Sequence, residues 1–169
     1  MNKLCRLVVL GFWASATQTG LAESPRLAVP SPKQVAFADW EVGAFIHYGL
    51  NPYIDQEHGD GQEPPSRFNP TDLDAEQWVV TAKEMGARYA CLTARHEGGF
   101  CLWPSRTTDY TIANSPYLDG QGDVVRDFTD ACRKHGLKVG LYHTAGFNAH
   151  EALRDYQGEP DLPLQWGAT

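Results

Sequence analysis

Three short apolar runs alternate with two helical patterns along this 169-residue chain, and no other feature constrains the fold as strongly. Each run has the length and composition of a buried strand. The predicted strands are residues 42–47, 88–93 and 137–142. The predicted helices between them span residues 72–85 and 123–135. Alternation of strands and helices predicts parallel pairing through right-handed crossovers, and therefore an α/β fold.

The two helical segments carry their own start and stop signals. Asp72 and Asp123 are the predicted N-caps, because a carboxylate there accepts hydrogen bonds from backbone N–H groups of the first turn. Gly86 and Gly136 stand where each helix is predicted to end. Each helix has one apolar face, which is expected to pack on the sheet. The faces comprise Trp78, Val79, Ala82 and Met85 in the first helix, and Val124, Val125, Phe128, Ala131 and Cys132 in the second.

The connections differ in length on the two sides of the predicted sheet. From helix to strand they take one or two residues, whereas the loops after the strands, residues 48–70 and 94–122, are long and rich in Gly and Pro. This asymmetry favours a (β/α)8 TIM barrel, in which the long loops build the active-site face. Three strands cannot close an eight-stranded barrel. Residues 38–169 are therefore predicted to be an incomplete, truncated TIM barrel of about three βα units, with a shorter open α/β fold as the alternative.

Residues 1–22 are predicted to be a cleavable signal peptide rather than part of the fold. Lys3 and Arg6 precede a short apolar stretch, and a small-residue pattern suited to signal peptidase ends at Ala22. The apolar stretch is too short for a membrane span, and a retained N-terminal anchor is the alternative. The expected localisation is therefore secreted or periplasmic, and residues 23–37 become an N-terminal linker.

Charge and cysteine content argue against two other classes of protein. Cleavage removes two positive charges and no negative ones, which changes the formal charge from −7 to −9. Contacts with phosphate need Lys and Arg, so nucleic acid is excluded as a partner. Three cysteines remain after cleavage, an odd number that argues against a full disulfide framework. We expect Cys91, Cys101 and Cys132 to be buried thiols, with a Cys91–Cys101 bond as the alternative.

Polar side chains follow each predicted strand. His47 follows the first strand, His96 and Glu97 follow the second, and His143 closes the third. Neighbouring strands lie about 4.8 Å apart, so these ends are expected to form one patch roughly 10 Å wide on the loop-bearing side of the sheet. A structural role for any single histidine stays open, but three at equivalent strand ends favour a binding site.

Residues of the long loops are predicted to complete this patch. Glu57 and His58 are expected to fold over it from the first loop, and Trp103 and Tyr110 are expected to supply an aromatic wall from the second. Such a patch suits a sugar, because neutral imidazoles offer both donors and acceptors to hydroxyl groups. The apolar face of a pyranose ring packs on aromatic rings.

Other chemistries find less support in the sequence. The three histidines and Glu57 are a conceivable zinc ligand set, but neither H-x-H nor H-E-x-x-H spacing is present, so no metal or cofactor is predicted. The sequence contains no G-x-S-x-G motif and no Cys beside a His, so neither a Ser nor a Cys nucleophile is predicted.

Several motifs of this chain resemble motifs of one enzyme family. They occur in the same order as in that family and without large gaps. The run G-A-F-I-H-Y-G at 43–49 resembles the first-strand motif of the α-L-fucosidases of glycoside hydrolase family 29, and D-Q-E-H-G-D-G at 55–61 resembles a loop of one bacterial branch. The run L-T-A-R-H-E-G-G-F-C-L-W-P-S at 92–105 is similar to the family's L-T-A-K-H-H-D-G-F-C-L-W-P-S. The resemblance covers residues 38–146. It implies a (β/α)8 barrel that hydrolyses α-L-fucosides with retention of configuration.

The resemblance also implies roles for individual residues. Fucose-binding positions of the family map onto His47, Glu57, His96 and His143. The family's nucleophile is an Asp at the end of a later strand, and its acid/base follows later still. No catalytic residue is therefore expected up to Thr169, and the isolated fragment is expected to be inactive towards its fucosylated substrate.

Three positions depart from the family pattern. His58 stands where the branch has Trp, Glu97 where a second His is usual, and Gly98 where Asp is usual. These exchanges keep two alternatives open: a carbohydrate-binding pseudoenzyme, and a glycosidase for another deoxy sugar. The oligomeric state is not predicted.

Overall fold

The computed structural model describes residues 27–57, 59–145 and 148–151. The signal-peptide and cleavage predictions, and that for His58, lie outside the described residues. Helices and strands follow one another as α1 (Pro32–Ala38), β1 (Gly43–Ile46), α2 (Ala75–Glu84), β2 (Tyr89–Arg95), α3 (Val124–His135) and β3 (Lys138–His143). Short 3-10 helices occupy Asn51–Tyr53, Pro65–Arg67, Ile112–Asn114 and Tyr117–Gly120.

The three strands form a parallel sheet in the order β1-β2-β3, which confirms the predicted pairing. Phe45, Cys91 and Gly140 are partners across the sheet. One irregularity between Thr93 and Arg95 shifts the register at the end of β2, so that Arg95 pairs with His143. A parallel three-stranded sheet is consistent with part of a TIM barrel, and closure into eight strands stays a prediction.

Helix α3 matches its predicted boundaries because its capping signals are strong. The Asp123 carboxylate accepts a hydrogen bond of 2.9 Å from Arg126 N, and Gly136 ends the helix in the left-handed conformation at φ 77°. A residue with a Cβ is strained there, which explains the glycine. The predicted apolar stripe is buried at Val124, Phe128, Ala131 and Cys132.

Helix α2 differs from its prediction at both ends. Its N-cap is Asp74, whose side chain accepts a hydrogen bond from Gln77 N at 2.9 Å, so the predicted cap at Asp72 is wrong. Val79 and Ala82 are buried as predicted, but Met85 lies at the C-cap and is 61% exposed. The helical periodicity no longer applies there, because the chain is turning towards β2. The segment 23–37, predicted as a linker, contains most of α1, which begins with a capping box at Ser31 and Gln34.

The core lies between the sheet and the helices and extends under the long loops. Helix α2 packs against α3 and β1, and α3 packs against β2 and β3. Ala90 and Leu92 of the central strand are fully buried. Phe68 of the first long loop is fully buried, and its ring centroid lies 5.3–6.0 Å from the centroids of four other aromatic rings. These belong to Tyr48, Tyr53, Phe100 and Tyr117.

The cysteines of the described residues are free thiols, which rules out the alternative Cys91–Cys101 bond. Cys101 and Cys132 are buried, and burial raises the pKa of each thiol to about 11. Cys91 is only half-buried. Thiols with raised pKa are poor nucleophiles, so Cys101 and Cys132 serve as small apolar side chains.

Removal of the Phe68 ring tests how far the loop core supports the fold. Phe68→Ala is expected to lower the free energy of unfolding by about 3–5 kcal/mol, because it leaves a cavity among four rings. Urea denaturation followed by circular dichroism measures the loss. Phe45→Ala is the matched control, since Phe45 is 60% exposed on β1, and it is expected to cost about 1 kcal/mol or less. Equal losses in the two variants contradict this account of the core.

Candidate functional site

Two histidines meet at the carboxyl ends of β1 and β2. His47 follows β1 directly and His96 follows β2, and their ring centroids lie 4.6 Å apart. The prediction that these strand ends lie together is therefore confirmed for His47 and His96. Parallel neighbours in a sheet bring equivalent ends to one edge, which is why residues 49 positions apart in sequence become adjacent.

A buried threonine fixes the backbone directly after His47. Thr93 Oγ1 accepts a hydrogen bond from Tyr48 N at 2.9 Å and donates one to Tyr48 O at 2.6 Å. Tyr48 is held again at its other end, where its hydroxyl lies 2.5 Å from that of Tyr53. Burial, followed by the contact with Tyr53, raises the pKa of Tyr48 well above its usual range, so this phenol stays protonated. His47 therefore projects from a backbone that is anchored on both sides, by the pairing of β1 with β2 before it and by the Thr93 bonds after it.

His47 and Glu57 line the same open cavity, of about 420 Å3. Its other lining residues come from the loop between them: Tyr48, Gly49, Asn51, Pro52, Asp55 and Gln56. Asn51 Nδ2 donates a short hydrogen bond to Glu57 O, which turns the loop back towards its start. The volume falls within the range of small-molecule sites. The structure thus places Glu57 near the end of β1, and its extension over the ends of β2 and β3 stays a prediction.

Tyr142, rather than His143, accompanies His96. The ring centroid of Tyr142 lies 5.7 Å from that of His96, whereas the imidazole of His143 lies 5.9 Å from the Trp103 ring. Successive side chains of a strand point to opposite faces, so Tyr142 and His143 contact different neighbours. Tyr142 was not among the predicted site residues. The alternation of side chains along β3 predicts that Tyr142 and His143 face opposite ways. It does not predict which of them lies beside His96, because the register shift in β2 leaves no signal in the sequence.

The turn after β2 is compact and contacts a later segment of the chain. Gly99 N donates to His96 O at 3.0 Å, and Glu97 O accepts a hydrogen bond of 2.8 Å from Ala149 N. Glu97 is half-buried and Gly98 is buried. Gly99 has a φ of 96°, and a Cβ there would collide with the side chain of Asn148. The turn that follows His96 therefore has room only for glycine at this position.

Arg95 is the last residue of β2 and is 7% exposed. Its Nη2 lies 2.6 Å from Glu151 Oε1. A buried guanidinium needs a charged partner to offset its lost hydration. Arg95 thus holds a neighbouring chain segment rather than facing the cavity.

The two predicted wall aromatics behave differently. Trp103 is half-buried and its ring lies beside that of His143, so its role as a wall of the sugar site stays a prediction. Tyr110 is only 3% exposed, and its hydroxyl donates to Glu63 Oε2 at 2.9 Å, so it is packed within the loops and is not among the residues that line the open cavity. Burial, and then the charge of Glu63, raise the pKa of Tyr110 far above its usual range.

The side chains at the strand ends offer hydrogen-bonding groups and ring surfaces. Within residues 27–57, 59–145 and 148–151, no group of three His, Cys, Asp or Glu side chains is placed to hold a metal ion. Nor does any helix in the same ranges combine the length and apolarity needed to cross a membrane. Two adjacent imidazoles, a carboxylate across an open cavity and the flanking Tyr142 ring provide donors, acceptors and an apolar surface.

Comparison with known proteins gives this arrangement a family context. The model of the family described as alpha-L-fucosidase matches residues 53–163. Alpha-L-fucosidase 1 of Arabidopsis thaliana is 45% identical over 121 residues, which cover 70% of this chain and 23% of that protein. The chain therefore spans about a quarter of the length of such curated relatives.

Solved structures agree with the sequence comparison. A glycoside hydrolase 29 family member from an unknown rumen bacterium is 50% identical with a TM-score of 0.66, over 68% of this chain and 21% of that one. An alpha-L-fucosidase of the same family from Bacteroides thetaiotaomicron is 34% identical with a TM-score of 0.56, over 68% and 30% of the two chains.

The anchor after His47 is tested by removing one hydroxyl. Thr93→Val keeps the shape of the side chain but leaves the amide of Tyr48 without its acceptor, so we expect a loss of about 1–3 kcal/mol in unfolding free energy. Urea denaturation measures it. Thr81→Val is the control, because Thr81 is exposed on α2 and bonds only Gln77 O four residues back, and a change within about 0.5 kcal/mol is expected. A Thr93→Val protein as stable as the control contradicts the anchor.

Proposed function

Because this chain belongs to the alpha-L-fucosidase family, we propose that its strand-end cavity binds the terminal α-L-fucose of a fucosylated glycan or glycoside, and that the protein hydrolyses that bond. The proposal rests on one observation, namely that His47 lies next to both His96 and the cavity lined by Glu57. The two imidazoles are in ring contact, and His47 and Glu57 line one cavity.

The chemistry of a sugar explains why these groups stand together. A hydroxyl both donates and accepts hydrogen bonds, and a neutral imidazole offers one donor and one acceptor. The Glu57 carboxylate accepts strongly from a hydroxyl. The Tyr142 ring lies beside His96 and the Trp103 ring lies beside His143, and both are proposed to supply apolar faces for the C–H groups and the methyl group of a 6-deoxy sugar. His58 and His143 complete the proposed set of sugar contacts, with Glu97 beside His96.

The bond-breaking groups are proposed to lie in other parts of the enzyme. Retaining hydrolysis requires two carboxyl groups about 5 Å apart, one as nucleophile and one as acid/base. Family resemblance assigns neither role to a residue of this chain, and we propose that both follow Thr169, together with the remaining strands of a closed TIM barrel. The much greater length of the relatives supports this division.

We also propose that the protein is exported. The charged start at Lys3 and Arg6, the apolar stretch and the small residues up to Ala22 support a signal peptide cleaved after Ala22.

A second candidate is a sugar-binding protein without turnover, or a glycosidase for another deoxy sugar. The observations that favour it are the exchanges at Glu97 and Gly98, which lie in the turn directly after His96. A carboxylate in place of an imidazole changes the pattern of donors that the sugar meets. Turnover of an α-L-fucoside eliminates the binding-only candidate, and preferential binding of L-rhamnose over L-fucose favours the other glycosidase.

Sugar binding is the first test, and it uses the 169-residue chain. L-Fucose is titrated while backbone amide shifts are followed by NMR. His96→Ala is expected to weaken binding at least about ten-fold, because one or two hydrogen bonds are lost. His135→Ala is the matched control, since His135 lies on α3 and bonds Glu76 away from the cavity, and unchanged affinity is expected. Absence of L-fucose binding, or an equal loss in both variants, would falsify the proposed site.

Turnover is tested on the product of the whole reading frame. An aryl α-L-fucoside is incubated with the 169-residue chain and with the protein encoded through any in-frame sequence after the Thr169 codon. Hydrolysis only by the longer product supports the proposal. A stop codon directly after Thr169, with no hydrolysis by the chain, refutes it as an enzyme and leaves sugar binding.

A further inference from the structure

A short segment after β3 lies between the loops that follow β1 and β2. We propose that Asn148–Glu151 is a positioning element, in which His150 holds the loop that carries Glu57 and Glu151 holds the end of β2 beside His96. The positions of these loops are inferred from the contacts alone, while their value for sugar binding rests on the proposed function.

Glu151 secures the β2 side through a buried charge. Its Oε1 lies 2.6 Å from Nη2 of Arg95, whose side chain is almost completely buried. Asn148 orients the same carboxylate: its Nδ2 donates to Glu151 Oε2 at 2.8 Å, and its Oδ1 accepts from Glu151 N at 2.9 Å. Ala149 N adds a bond of 2.8 Å to Glu97 O. Both Arg95 and Glu97 are sequence neighbours of His96, so these bonds fix the backbone on each side of it.

His150 secures the β1 side through its ring. Nδ1–H donates to Gly61 O at 2.8 Å, and the ring stacks on Tyr110 with 4.4 Å between centroids and an interplanar angle of 17°. Asp109 Oδ1 lies 3.4 Å from its Nε2. A Cβ at Gly61 would collide with the backbone of His150, so the two chain segments touch directly.

The β1 loop is in turn closed on itself by Glu63. Its two carboxylate oxygens accept hydrogen bonds from Asp60 N at 2.9 Å and Gly61 N at 3.1 Å, and from the Tyr110 hydroxyl at 2.9 Å. A small cavity of about 20 Å3, lined by Glu63, Tyr110, His96 and Gly98 among others, separates this closed turn from the turn after β2. That volume holds about one water molecule, so the two turns lie close to each other.

The residues of the site are held in two different ways. His47 is fixed by the sheet and by Thr93, independently of the later segment. Glu57 and the turn after His96 depend on contacts made by His150 and Glu151. Loss of either contact is therefore expected to loosen one loop while the sheet and the Phe68 core stay folded.

Two conservative variants test the two sides separately. His150→Phe keeps a ring to stack on Tyr110 but removes the donor to Gly61. Glu151→Gln keeps the size and an acceptor for Asn148 but removes the charge that faces Arg95. Glu84→Gln, at the exposed end of α2, is the matched control. His150→Asn, which restores a donor near the Nδ1 position, is the rescue variant.

Amide hydrogen exchange and L-fucose affinity are measured on the 169-residue chain. We expect exchange at Asp60 and Gly61 to accelerate about ten-fold or more in His150→Phe, with partial recovery in His150→Asn. We expect the same acceleration at Gly99 and Ala149 in Glu151→Gln. L-Fucose should bind about five- to ten-fold more weakly to both His150→Phe and Glu151→Gln. Amides of β2 from Tyr89 to Thr93, away from the Arg95 end, should exchange at the wild-type rate in these variants. The Glu84→Gln control should match the wild-type chain in exchange and affinity.

The outcomes separate this proposal from the proposed function. If the wild-type chain binds no L-fucose but exchange changes as expected, the sugar site is wrong and the positioning element stands. If the wild-type chain binds L-fucose and the variants match it in exchange and affinity, the positioning element is wrong and the sugar site stands. Should Glu151→Gln fail to fold, the His150→Phe and His150→Asn pair still decides the question.

Discussion

Parallel pairing of β2 with both neighbours is the constraint on which the rest of the structure depends. A central strand with partners on each side satisfies its backbone groups along its length, and its side chains Ala90 and Leu92 are fully buried. Parallel order then brings all three strand ends to one edge, since each crossover returns the chain to the same starting side. The site exists at that edge because of the strand directions.

The long and irregular connections all lie at this same edge of the sheet. Their connections into the strands are short: Gly86 and Gly136 each end a helix with a positive φ, and a strand begins within three residues. The opposite connections contain 3-10 turns, aromatic packing and closed hydrogen-bonded turns such as that around Glu63. The connections at one end of the strands are thus short and regular, and those at the other end form the loops that surround the cavity.

The sequence predicted those features that arise from local signals. Asp123 and Gly136 bound α3 as expected, because a cap and a terminator act within a few residues of themselves. The N-cap of α2 was misplaced by two positions, because Asp72 and Asp74 are both chemically able to cap and only the observed backbone at Asp74 directs its carboxylate to Gln77 N. Local signals therefore identify an element more securely than its first residue.

The parts of the site that could not be predicted depend on distant partners. Tyr110 is buried because Glu63, 47 residues earlier, and His150, 40 residues later, enclose its hydroxyl and its ring. Arg95 is buried because Glu151 neutralises it. Neither partnership produces periodicity or a spacing motif. Adjacency of His47 and His96 was predictable, by contrast, because sheet geometry alone requires it.

The register irregularity at the end of β2 has an evolutionary consequence. It sets whether a phenol or an imidazole stands next to His96, since Tyr142 and His143 are consecutive and point to opposite faces. We expect a single-residue insertion or deletion at this bulge to change which ring lies beside His96, while the pairs that precede it, such as Leu92 with Leu141, keep their register. Such a change would alter the group presented to a ligand in one mutational step, without rebuilding the sheet that carries it.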